Sequence, residues 1–135
     1  MWHTLKTNPN QYVYSIMLRF AVVGHKATTE PTFSLNDMPG GAGRLDILCR
    51  CINSSFFLSH DLRRDVECFL ILKGGEPTKT IRFAGETIRS LNPDERSAGA
   101  LIKKGLTTEA GEEFKKAADG IHIRAGGLAE LLAEI

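Results

Sequence analysis

The chain has 135 residues, a length that suits one domain. Hydrophobic residues make up 42% and charged residues 24%, which excludes a disordered tail, a collagen-like fibre and a coiled coil. The formal net charge of +1 excludes a uniformly basic nucleic-acid coat but leaves room for a local basic face. No apolar run is long enough for a transmembrane helix, and no signal peptide precedes the first strand, so we expect a cytoplasmic protein.

The first half of the chain predicts one strand and one helix. We expect residues 1–16 to be a poorly ordered N-terminal extension and residues 17–135 to form the domain. Ile16–Val23 has the apolar composition of a buried strand. The long loop Gly24–Gly43 is of the kind that is usually functional or mobile. A helix is predicted over Arg44–Leu58, because one apolar stripe recurs at helical spacing: Leu45, Leu48, Cys49, Ile52 and Phe56.

The second half predicts five further elements. They are strands over Val66–Leu72, Thr80–Phe83 and Ile121–Ile123, a helix that begins within Asn92–Glu95, and a helix over Leu128–Ile135. Asn92 can cap the first of these helices, and Pro93 suits its first position. The order β-α-β-β-α-β-α predicts an α/β fold, with a largely parallel sheet flanked by helices.

The glycine cluster Gly40–Gly43 has two interpretations. Helix N-termini attract anions, so the cluster could hold a phosphate. It lacks the Gly-Lys-Ser/Thr ending of a P-loop and the spacing of a dinucleotide fingerprint, however. We therefore favour a loop that needs positive φ angles, and a phosphate-handling enzyme ranks last. No metal site is expected, because the four histidines lack ligand spacing.

Polar groups are dense between Arg44 and Asp65. Asp46 and Arg50 are four residues apart on the predicted helix, so they share a face, and Asn53 extends that face by one turn. We expect the candidates of this segment to cluster at one edge of the sheet: Asp46, Arg50, Asn53, His60, Asp61, Arg63, Arg64 and Asp65. The alternative is a solvated, salt-bridged turn. Three later arginines suit either phosphate contacts or pairing with acids: Arg82, Arg89 and Arg96.

Five segments that occur in one order carry a family resemblance. They are Arg19–Ala27 (RFAVVGHKA), Phe33–Gly40 (FSLNDMPG), Gly43–Cys51 (GRLDILCRC), Phe56–Asp65 (FFLSHDLRRD) and Leu91–Ser97 (LNPDERS). Together they resemble the archaeal-type tRNA pseudouridine N1-methyltransferases, the TrmY family of the SPOUT methyltransferases. The resemblance covers Met17 to about Ile135.

The resemblance implies an enzyme that uses S-adenosylmethionine to methylate N1 of pseudouridine 54 in the T-loop of tRNA, as a homodimer. Family members continue into a C-terminal trefoil knot, so we interpret the chain as truncated before the knot, with the S-adenosylmethionine site in the missing region. The alternative is a non-catalytic RNA-binding or inert α/β fragment. We expect these 135 residues alone neither to bind the donor tightly nor to methylate tRNA.

Asp46 is our candidate catalytic residue, because the weakly acidic N1–H of pseudouridine needs a polar site that favours the deprotonated base. The remaining candidates are assigned to RNA binding: Arg44, Arg50, Asn53, His60, Asp61, Arg63, Arg64, Asp65, Arg82 and Arg96. The truncation is also expected to leave apolar edges at Val66–Leu72 and Ile121–Ile123, and uncovered edges of this kind pair with other chains.

Overall fold

The computed structural model describes residues 2–8, 11–16, 18–57 and 62–134. Trp2–Asn8 (β1) and Gln11–Ile16 (β2) pair as an antiparallel two-stranded sheet. The sequence did not predict these two strands. Leu58 and Ile135, where two predicted helices were expected to end, lie outside the described residues.

Five strands form the main sheet, in the order β3-β4-β5-β7-β6. They are Leu18–Gly24 (β3), Val66–Leu72 (β4), Lys79–Ala84 (β5), Lys115–Ala118 (β6) and Ile121–Ala125 (β7). Three helices connect or follow them: Leu45–Phe56 (α1), Glu95–Leu106 (α2) and Leu128–Glu134 (α3). The α/β class and every predicted helix and strand are confirmed, and β6 is an additional strand.

The sheet is mixed, so the prediction of a largely parallel sheet is wrong. Only β3 and β4 pair in parallel, while the other three pairs within this sheet are antiparallel. Connection length explains the difference. A parallel pair needs a long crossover, which α1 supplies, whereas the short link between β4 and β5 returns the chain as a hairpin. The tight turn at Asp119–Gly120 does the same for β6 and β7.

The main core lies between the sheet and the pair α1 and α2. The predicted buried stripe of α1 is confirmed, because Leu45, Leu48, Ile52 and Phe56 are all at most 4% exposed. Alternate residues of β4 face this core, and its other residues face the opposite side of the sheet, where Phe69 and Ile71 pack against Leu131 of α3. All seven residues of β4 are therefore buried.

The open edge of the main sheet is not where the sequence placed it. β4 and β7 each have neighbours on both sides, so Val66–Leu72 and Ile121–Ile123 are interior. Among the strands that the structure describes, β3 forms one end of the sheet, and its Leu18 and Phe20 side chains are 37% and 40% exposed.

The start of α2 also differs in detail from the prediction. Asp94, not Asn92, is the capping residue, and its carboxylate accepts a hydrogen bond from the backbone N–H of Ser97 at 2.6 Å. The Ser97 hydroxyl donates to the Asn92 carbonyl at 2.9 Å. Asn92 and Pro93 therefore lead into the helix, while the acid that follows them caps it.

Candidate functional site

The loop before α1 ends in a close backbone crossing at Gly43. Its φ of 68° is left-handed, and a Cβ at this position would lie 1.8 Å from the carbonyl oxygen of Lys26. Only glycine meets both requirements. This constraint supports the interpretation of the cluster as a loop rather than as a phosphate cradle.

Arg44 stands between this loop and α1 in an uncommon conformation. It has a φ of 63°, although it is not glycine, and its side chain makes no cap hydrogen bond to the helix. Such a backbone costs on the order of 1–3 kcal/mol and persists where surrounding contacts hold it. The Arg44 guanidinium instead donates to Oδ2 of Asp46 at 3.0 Å.

Asp46 is a buried carboxylate with only one of its oxygens hydrogen-bonded. The residue is 2% exposed, and Nη2 of Arg50 lies 3.7 Å from the same Oδ2 that Arg44 contacts. Its Oδ1 is buried and has no hydrogen-bond partner among the described residues. Buried polar atoms usually make at least one hydrogen bond, so Oδ1 is the oxygen that can accept one from a group outside the described residues.

Arg50 and Asn53 continue the same face of α1, as predicted. Nε of Arg50 donates to Oε1 of Glu95 at 2.6 Å, which joins α1 to the first residue of α2. That hydrogen bond, with the charge of Glu95, raises the pKa of Arg50, so the group stays cationic. Oδ1 of Asn53 is a second buried acceptor without a partner in the described part of the chain. One face of α1 thus carries the cationic Arg50 between two buried oxygen atoms that have no partner among the described residues.

The second group of predicted residues lies beyond the other end of α1. Arg63 contacts Asp65 through two hydrogen bonds, at 3.1 and 2.8 Å. These bonds lower the pKa of Asp65 and raise that of Arg63. Nη1 of Arg64 donates to the carbonyls of Gly85 and Ile88, at 3.0 and 2.7 Å.

These residues form two groups rather than the single cluster that the sequence predicted. A helix rises about 1.5 Å per residue, so Asp46 and the end of α1 at Phe56 are separated by roughly 15 Å. Arg63 and Arg64 follow that far end. The single-cluster prediction is therefore wrong in its geometry, and His60 and Asp61 lie outside the described residues.

The two later arginines assigned to RNA lie elsewhere. Arg82 pairs with Glu67 on the face of the sheet opposite α1 and α2. Nη1 of Arg96 donates to Oδ1 of Asn36 at 2.8 Å in an exposed position. Their RNA-binding roles stay predictions, as do those of the other candidates.

A charged cluster on that sheet face was missed by the sequence analysis. Glu67 is 3% exposed and also pairs with Arg19 at 3.0 Å. His122 lies beside Arg82 on the neighbouring strand. The available signal was the single acid inside the otherwise apolar run Val66–Leu72, since a buried acid needs charged partners.

Two of the three cysteines behave as buried small side chains. Cys49 and Cys68 are fully buried, and burial, more than nearby charge, raises the pKa of each to about 12. They are therefore protonated thiols with little nucleophilic character. Within the described ranges, no cluster of His, Cys, Asp and Glu side chains could hold a metal ion. No helix described by the structure has the length and apolar character needed to span a membrane.

Residues 17–135 match a protein family described as "Putative SAM-dependent RNA methyltransferase". Curated relatives named tRNA (pseudouridine(54)-N(1))-methyltransferase are also similar to the chain. One from Methanocorpusculum labreanum is 72% identical over 123 residues, covering 87% of this chain and 63% of the relative.

Two further relatives carry the same name. The protein of Methanococcoides burtonii is 60% identical over 119 residues, covering 87% of this chain and 59% of the relative. That of Haloferax volcanii is 51% identical over 121 residues, covering 87% of this chain and 60% of the relative. The chain thus spans about three fifths of the length of the curated relatives it matches.

Proposed function

The chain belongs to this family of SAM-dependent RNA methyltransferases, and we propose that the whole protein methylates N1 of pseudouridine 54 in the T-loop of tRNA. The relatives named above support the substrate and the position. The structural observation that carries the proposal is the buried Asp46 carboxylate, whose Oδ1 has no partner among the described residues.

The Asp46 carboxylate suits the proton chemistry of this reaction. Methylation of N1 requires that the nitrogen lose its proton, and an acceptor at hydrogen-bond distance assists that loss. Oδ1 would accept the N1–H of the flipped base, while Arg44 and Arg50 contact Oδ2 and position the carboxylate. A nucleobase must leave its stack to reach such a site.

S-adenosylmethionine is the cofactor that the family description names. We propose that the described residues do not form its site by themselves. In the pocket where the parallel strands end, the carboxylate is that of Glu130, which already accepts the Gly127 N–H at 3.0 Å. We place the donor site in the part of the relatives' length that this chain does not match, in the knot expected of a SPOUT-type fold.

We further propose that the protein forms a homodimer and that it acts in the cytoplasm. Ile47 is 45% exposed beside Arg50 on the outer face of α1, which suits contact with a second copy. The division into an extension over residues 1–16 and a methyltransferase domain from residue 17 remains part of the proposal.

Methyl incorporation from labelled S-adenosylmethionine tests the proposed function. The full-length protein would be assayed on two tRNA transcripts that differ only in carrying pseudouridine or uridine at position 54. We expect incorporation into the first and none into the second. Binding of both transcripts without incorporation would contradict the proposal and favour the non-catalytic RNA-binding interpretation.

A further inference from the structure

Among the described residues, the Asp46 carboxylate is contacted through one oxygen only. Nη2 of Arg44 donates to Oδ2 at 3.0 Å, and Nη2 of Arg50 lies 3.7 Å from the same atom. Oδ1 is buried and has no hydrogen-bond partner in the described part of the chain. Arginine and a carboxylate frequently form two parallel N–H···O bonds, one to each oxygen. Arg50 lies one helical turn from Asp46 and does not form this contact.

The pair Arg63 and Asp65 shows this two-bond contact within the same chain. Nε of Arg63 donates to Oδ1 of Asp65 at 3.1 Å, and Nη2 donates to Oδ2 at 2.8 Å. One edge of the guanidinium, formed by Nε and Nη2, therefore occupies both carboxylate oxygens. An arginine beside Asp46 that had both of these groups available could cover Oδ1 in the same way.

Glu95 occupies half of that edge in Arg50. Nε of Arg50 donates to Oε1 of Glu95 at 2.6 Å, while Nη2 lies 3.7 Å from Oδ2 of Asp46. The edge formed by Nε and Nη2 is thus divided between two acids, so it does not bind both oxygens of Asp46. The Arg50 side chain is mostly exposed, and a long exposed side chain keeps its rotamer freedom unless a partner fixes it. Glu95 is that partner.

Glu95 is itself held in place by the start of α2. It is the first residue of that helix, and the Asp94 carboxylate before it accepts from the backbone N–H of Ser97 at 2.6 Å. Ala98, in the same helical turn, is fully buried in the core. The Arg50 and Glu95 side chains are 61% and 40% exposed, and ion pairs this exposed contribute little to stability. A role of Glu95 in positioning Arg50 is therefore separable from a role in folding.

We propose that Glu95 is a positioning residue, which keeps Oδ1 of Asp46 open by holding Nε of Arg50. Glu95 acts through Arg50 and contacts neither the substrate nor the reacting atoms. Without Glu95, Arg50 turns onto both oxygens of Asp46 and closes the acceptor that N1–H requires. The inference rests on the proposed function, in which Oδ1 accepts that N–H group.

Steady-state kinetics of the full-length protein on pseudouridine-bearing tRNA test the role of Glu95. We expect Glu95→Ala to lower kcat by at least ~tenfold, the factor that one hydrogen bond to a charged group supplies. The KM for tRNA should change little, because no cation is removed. Glu95→Gln keeps an acceptor oxygen at the same reach, so its kcat should be intermediate. A wild-type kcat in Glu95→Ala would overturn the inference.

Asp119→Asn is the matched control. Asp119 is another exposed acid beside an arginine, since its Oδ2 lies 3.7 Å from Nε of Arg89, and it belongs to the turn between β6 and β7. Asp119→Asn should leave kcat at the wild-type value, and urea midpoints should show that both variants stay folded. An equal fall of kcat in Asp119→Asn and Glu95→Ala would contradict a specific role of Glu95.

A double variant distinguishes positioning from a merely structural ion pair between α1 and α2. Glu95→Ala combined with Arg50→Met removes both the holding carboxylate and the guanidinium that would cover Oδ1. Because Arg44 still donates to Oδ2, the double variant should recover most of the kcat that Glu95→Ala loses. A structural ion pair would give no recovery, since its loss is already complete in the single variant, and that result would overturn the inference.

Crystal structures of the full-length wild type and of Glu95→Ala separate this inference from the proposed function. In Glu95→Ala we expect Nε and Nη2 of Arg50 to lie at hydrogen-bond distance from the two oxygens of Asp46. An unmoved Arg50 would refute the inference and leave the proposed function standing. The expected movement, together with a wild type that does not methylate tRNA, would support the role of Glu95 in holding Arg50 and count against the proposed function.

Discussion

Asp46 combines three properties: it is buried, Arg44 donates to its Oδ2, and its Oδ1 has no partner among the described residues. The sequence indicated these properties only in part. The spacing of Asp46 from Arg50 predicted the shared face of α1. The burial depends on tertiary packing around the start of α1, which no local pattern encodes. The sequence could not predict the unpartnered Oδ1 either, because identifying such an atom requires the positions of all neighbouring groups.

Replacement of Asp46 by asparagine tests its role in proton removal. Asp46→Asn keeps the side-chain volume but removes the charge that favours loss of the N1 proton, so we expect kcat to fall by about 10²–10⁴-fold. The KM for tRNA should change little, because Arg44 and Arg50 remain. Steady-state kinetics on pseudouridine-bearing tRNA, with the exposed Glu30→Gln as control, would show this split. A wild-type kcat in Asp46→Asn would remove Asp46 from the chemistry.

His122 gives a prediction for the pH dependence of stability. Its pKa is lowered in the folded protein, chiefly by burial and then by Arg82 and Lys116. The unfolded chain therefore binds the proton more readily. The stability that depends on a neutral His122 is fully present above the unfolded value of about 6.5 and is lost as the pH falls from there through the lowered pKa of the folded protein. Urea midpoints measured at about pH 7.5 and about pH 5.5 should differ less in His122→Gln than in wild type. The exposed His25→Gln serves as the control and should show the wild-type difference between the two urea midpoints. The same difference in His122→Gln as in wild type would contradict the assigned role of His122.

At the scale of elements, the apolar periodicities predicted α1 and β4 well. The stripe Leu45 to Phe56 and the run Val66–Leu72 both became core. Strand β6 was missed because its sequence, Lys115–Ala118, is short and half charged, and it forms by pairing with β7. Strand direction was wrong for a related reason, since connection length rather than strand composition decides whether neighbours run in parallel.

Two isoleucines of α1, one buried and one exposed, allow a test of how the helix packs. Ile52 is fully buried and Ile47 is 45% exposed. Ile52→Ala should lower the free energy of unfolding by about 2–5 kcal/mol, because it removes packed methyl groups from the core between α1 and the sheet. In the monomeric chain, at a protein concentration too low for a second copy to bind α1, Ile47→Ala should change the free energy of unfolding by no more than ~0.5 kcal/mol. Urea denaturation of both variants measures the difference, and equal losses would show that α1 is not packed as described.

At the scale of the whole molecule, β3 is an end strand with exposed Leu18 and Phe20. Such edges offer backbone hydrogen bonds to other chains. The 135-residue chain should therefore self-associate as its concentration rises, and Phe20→Lys should weaken the association. Leu132→Lys, on the exposed side of α3, should not. Sedimentation velocity would test this, and a monomer at every concentration would contradict it.

The product of the reaction tests the central claim most directly. tRNA carrying pseudouridine at position 54 would be incubated with the full-length protein and S-adenosylmethionine, digested to nucleosides and analysed by mass spectrometry against synthetic standards. We predict N1-methylpseudouridine from position 54, formed by the wild type and strongly reduced in Asp46→Asn. A methyl group on another atom or another nucleotide, or an unmodified tRNA, would contradict the account.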